Sequence, residues 1–82
     1  MSEQEIEKVK DHIKGIAYSS KMNRDIDIKL AKAVKYFNKI GLDAKSFLFA
    51  CENYQNSYCY RTARRIEEKG KELITEINSL KA

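Results

Sequence analysis

Any chemistry in this 82-residue chain must come from very few side chains. There is one histidine, His12, and there are two cysteines, Cys51 and Cys59. His12 sits beside Asp11 at the flank of an apolar helical stripe, with no nucleophile next to it. A Cys–His pair would need the fold to bring a cysteine to it together with a third, orienting group. On a continuous helix Cys51 and Cys59 would lie about 12 Å apart, too far for a disulfide and wrong for holding one metal. Both fall on an apolar arc, where cysteine behaves as a small hydrophobe, so two free core thiols are expected. Glycine-rich phosphate loops and paired catalytic carboxylates are missing from the sequence. The expectation is a protein that is not an enzyme, with no cofactor, no metal and no small-molecule substrate.

Composition narrows the class further. The length suits one domain over residues 1–82, near the size at which a single core is only just sufficient. The formal net charge is +4 and the pI about 9.1, compatible with nucleic acid or an acidic protein partner. The opening MSEQEIEKVK is too charged for a signal peptide, and no run approaches the ~18 apolar residues of a membrane span. A cytoplasmic protein without membrane contact is expected, its thiols reduced. Proline is absent and glycine occurs three times, so helices can run long.

The elements that must carry any site read as all-α. Residues 2–20 predict a first helix, with Ser2 and Glu5 as a capping box and Ile6, Val9, Ile13 and Ile16 as its stripe. A second helix is expected from Arg24 to Ile40, capped by Asn23, with Ile26, Leu30, Ala33, Val34, Phe37 and Ile40 on one face. Gly41 suits a left-handed helix end, and Asp43 suits the next cap. From Asp43 a helical phase holds almost to the end. It places Ala44, Phe47, Leu48, Cys51, Tyr54, Tyr58, Cys59, Thr62, Ile66, Leu73, Ile77 and Leu80 on one arc. The fold expected is a small helical bundle, two antiparallel helices packed on a long C-terminal helix. It has three helices, or four if the chain breaks at Asn53–Ser57, where Asn and Ser are poor interior residues. In the long-helix version part of the stripe lacks a cover within the chain. Cys59, Ala63, Ile66, Gly70, Leu73, Ile77 and Leu80 then read as a coiled-coil seam, which predicts a homodimer through the C-terminal helix.

Two surfaces stand out as binding candidates. Phe49 and Tyr60 fall opposite the core arc, framed by Asn53, Asn56 and Arg64. Aromatics and arginine on a face that should be wet break the binary pattern and match the composition of interface centres. They predict a protein partner and a role as a small inhibitor, immunity-type or regulatory adaptor protein. In general character the chain resembles the small accessory proteins of phages and mobile elements. The alternative is nucleic acid. Lys29, Lys32, Lys35 and Lys39 line the outer face of the second helix and can track a phosphate backbone. Arg61 and Arg65 add charge beside Tyr60, a platform for base stacking. The corner Ile40-Gly41-Leu42-Asp43 looks only faintly like a helix-turn-helix, since Phe37 fills the place where a small residue is needed.

Overall fold

Two residues in the left-handed backbone region decide where the first half of the chain turns. They are Asn23, at φ 58°, and Gly41, at φ 67°. In the computed structural model, which describes residues 3–80, each closes a helix with the same pair of hydrogen bonds. Asn23 N–H reaches Ser20 O at 3.0 Å and Arg24 N–H reaches Ser19 O at 2.8 Å. Gly41 N–H reaches Asn38 O at 3.2 Å and Leu42 N–H reaches Phe37 O at 2.9 Å. This is the Schellman arrangement, which satisfies carbonyls left open at a helix end. Glycine takes the conformation freely; asparagine is among the few other residues that tolerate it. Asn23 therefore ends the first helix instead of capping the second.

The helices are α1 (Glu3–Lys21), α2 (Asp27–Ile40), α3 (Lys45–Asn56) and α4 (Tyr60–Leu80). The proposed cap at Ser2 lies outside the described residues. α2 and α3 begin alike. A buried apolar residue, Ile26 or Ala44, gives its carbonyl to the first helical bond. The aspartate just before it accepts a first-turn N–H, Asp25 from Asp27 at 2.9 Å and Asp43 from Lys45 at 3.2 Å. Asp43 thus serves the next helix as the sequence suggests. α2 starts three residues later than expected because Arg24 and Asp25 are used by the turn.

The long C-terminal helix is not formed. The chain breaks at 57–59, at the end of the Asn-rich stretch, and four helices result among the described residues. They run up, down, up and down. Lys10 Nζ donates to Asn78 Oδ1 at 2.9 Å, so α1 and α4 are antiparallel. Lys39 Nζ lies 3.8 Å from Glu5 Oε2, closing α2 back on α1. Tyr54 Oη donates to Arg24 O at 2.8 Å, bringing the end of α3 to the start of α2. Such an order is the common one for short-loop bundles.

The core joins Ile6, Val9, Ile13 and Ile16 of α1 to Phe37 of α2, Phe47, Cys51 and Tyr54 of α3, and Ile66, Leu73 and Ile77 of α4. Phe37 and Phe47 meet edge to face, centroids 6.1 Å apart. α1, α3 and α4 converge at Gly70. A Cβ there would lie 3.1 Å from Ile13 Cγ2 and 3.4 Å from Phe47 Cε1, so the glycine permits the close approach. Most of the expected dimer seam is thereby occupied within the chain: Ala63, Ile66, Gly70, Leu73 and Ile77 are buried against α1 and α3. Cys59 and Leu80, at its two ends, are exposed. No helix among the described residues is long and apolar enough to cross a membrane.

Candidate functional site

The break that divides α3 from α4 also builds the most distinctive surface. Ser57 leaves the helix with φ −154° and ψ 89°. Cys59 then acts as the N-cap of α4, its carbonyl accepting from Ala63 N–H at 3.0 Å. Thr62, three residues on, accepts from the Cys59 N–H at 3.2 Å and donates to Ser57 O at 2.8 Å. This is the reciprocal half of a capping box with threonine as the reaching side chain. The Cys59 thiol lies 3.5 Å from the same hydroxyl. Its pKa is lowered, first by the Thr62 hydroxyl, then by the Thr62 N–H, with smaller help from the Arg61 N–H and charge. Cys51 is the opposite case: buried in the core, its thiol is pushed up to about 12 by desolvation. Only Cys51 is the core cysteine that the sequence suggested for both, because the break takes Cys59 off the apolar arc.

Tyr58 leaves that arc for the same reason. Its ring stacks on Tyr54, centroids 4.4 Å apart and 16° from parallel. Its hydroxyl donates toward Asp25 Oδ1 at 3.4 Å, while Gln55 Nε2 donates to Asp27 Oδ1 at 2.7 Å. The Asp25 carboxyl is held below its ordinary range, chiefly by the Asp27 backbone N–H. Desolvation, and then the Asp25 charge, raise both phenols. These contacts clasp the α1–α2 turn to the end of α3.

Tyr60 opens α4 with 78 % of its surface exposed. Arg64, one turn on, directs Nη1 to Tyr60 Oη at 3.5 Å and Nε to Glu68 at 3.5 Å. A groove of about 610 Å³ runs from Ser20 and Lys21 of α1 and Asn23 of the turn after it, across Tyr58, Tyr60 and Ala63, to Lys71. A smaller hollow of about 300 Å³ lies among Tyr60, Arg61, Arg64, Arg65 and Glu68. Phe49, 63 % exposed, shares a separate exposed stripe on α3 with Asn53 and Asn56. The structure thus brings Tyr60 and Arg64 together and leaves Phe49, Asn53 and Asn56 outside their groove.

Lys29, Lys32, Lys35 and Lys39 are all exposed on α2, and among them only Lys39 holds an ion pair within the described residues, with Glu5. His12 is half-buried and stacks on Tyr36, centroids 4.7 Å apart. No group of three or more His, Cys, Asp or Glu suited to a metal ion occurs among the described residues. Sequence reasoning missed three exposed apolar residues, Tyr18, Met22 and Ile28. The signal was present for Ile28, which lies two residues from Ile26 and so on the opposite helix face. Comparison with protein-family models, curated proteins and solved structures finds no match for this chain.

Proposed function

We propose that this chain is a non-enzymatic protein-binding module, an inhibitor, immunity-type or regulatory adaptor that engages a protein partner through exposed helix faces. One observation carries the reading: the core closes without Phe49 and Tyr60, which stay 63 % and 78 % exposed. Exposed aromatics beside an arginine, held on helices that need none of them for packing, have the composition of an interaction hot spot. Phe49, Asn53 and Asn56 offer one contact stripe; Tyr60 and Arg64 offer another. The reading needs no second copy, since most of the seam that suggested one is covered by α1 and α3. Affinity capture from the native host tests it. The wild type retains a discrete partner, and Phe49→Ala with Tyr60→Ala retains none while keeping its helical circular dichroism.

A second reading, nucleic-acid binding, is favoured by the α2 face, where Lys29, Lys32 and Lys35 are exposed and hold no ion pair within the described residues. It predicts a gel shift at low salt with random duplex or single-stranded DNA or RNA that fades steeply as salt rises. Absence of any shift at micromolar protein removes it.

A further inference from the structure

We propose that the partner docks on one end of the bundle, where α1 and α3 finish and α2 and α4 begin, and that it is a protein whose contact face sets carboxylates around apolar side chains. This deepens the protein-binding reading and rests on it.

The apolar part of the surface is concentrated there. Among the described residues the exposed large hydrophobics are Tyr18, Met22, Ile28, Phe49, Tyr58, Tyr60 and Leu80. Five of these, all but Phe49 and Leu80, lie in the last turn of α1, the turn after it, the first turn of α2, or the α3–α4 junction. The clasp of Tyr54 on Arg24 and Gln55 on Asp27 fixes these segments against one another. Fixed anchors lose little conformational freedom on binding, which favours affinity.

Net positive charge is concentrated there too. Residues 17–32 and 50–66 make up this end, and they carry seven Lys or Arg against three Asp or Glu, a net of +4 that equals the formal charge of the whole chain. Two of those acids are engaged locally, Asp25 with the Asp27 N–H and Tyr58, and Asp27 with Gln55. Arg61 and Arg65 hold no ion pair among the described residues. The first turn of α4 contains no acid, so nothing there opposes the positive end of its dipole. A partner covering this end must therefore supply negative charge.

A protein fits better than a phosphate backbone. Met22 and Ile28 have nothing polar to offer a base edge, whereas Met, Tyr and Arg are enriched at protein interfaces.

A random dodecapeptide phage library panned against the immobilised full chain is the probe. Selected peptides, made synthetically, are titrated into the isotope-labelled protein. Enriched peptides should carry Asp or Glu beside apolar residues, and amide shifts should gather within 17–29 and 57–65. Arg61→Glu with Arg65→Glu, on the exposed side of α4, should weaken them about tenfold or more. Peptides that map to Phe49 and Asn53 instead would overturn the end surface while leaving the protein-binding reading standing. Failure of any peptide to enrich, or tighter binding of oligothymidylate than of the selected peptides, would overturn both.

Discussion

Cys51 and Cys59 show how one backbone turn separates two like residues. Burial holds Cys51 up at about 12 from an ordinary 9.0. The unfolded chain ionises first, so the stability gained by keeping this thiol neutral is complete below pH 9 and drains away as pH rises toward 12. Thermal melts should therefore fall across that window, and Cys51→Ala should fall less steeply at its start, before the tyrosines titrate. Parallel curves for the two proteins would exclude the buried thiol as the cause. Cys59, exposed with a lowered pKa, should be alkylated by iodoacetamide in the native state. Cys51 should resist until denaturant is added, and peptide mass spectrometry separates the two. The sequence could not distinguish them, because the helical phase runs unbroken through both and the turn arises from hydrogen bonding at Thr62. Tyr54 was legible as core, but its hydroxyl partner was not: Arg24 O is a backbone atom thirty residues away. Tyr54→Phe should cost about 1 kcal/mol, read by urea denaturation.

Among the elements, the break and the turns decide the architecture. The stripes of α1 and α2, the glycine turn at Gly41 and the Asp43 cap follow directly from spacing and residue type. The break was legible only as a weak place among Asn53–Ser57, and it falls one step later. A long helix and a hairpin share the same apolar phase, so periodicity alone does not choose between them. What chooses is Thr62, whose hydroxyl joins Ser57 to Cys59. Thr62→Val should cost about 1 kcal/mol, as removal of a helix cap does. At the other turn, Asn23→Ala puts alanine into the left-handed region, which it tolerates less well than asparagine. It should destabilise by about 1 kcal/mol, and Asn23→Gly should not. Gly70 reads as a soft spot in a helix but is a contact point between three. Gly70→Leu would drive carbon atoms into Ile13 and Phe47 and should cost about 1–3 kcal/mol or more.

Taken whole, the molecule is an up-down bundle 36 Å long and about 20 Å across, with net positive charge and exposed apolar surface gathered toward one end. Topology produces that polarity. Lys21, Arg24 and Lys29 are distant in sequence from Arg61, Arg64 and Arg65, and only the antiparallel pairing of helices places them together. Net charge was readable from composition, but its placement was not. The same topology explains why the expected patch divides: a continuous helix would align Phe49 with Tyr60, whereas the turn at 57–59 assigns them to different helices. The central claim is that the core closes without these two aromatics and leaves them for a partner. The most direct test is the double variant Phe49→Ala with Tyr60→Ala, followed by thermal melting and by capture from the native host. Exposed sites shift stability by about 0.5 kcal/mol or less each, so the melting temperature should move by less than about 8 °C while capture is lost. A variant that melts far earlier, or one that captures the partner as well as the wild type, would contradict the claim.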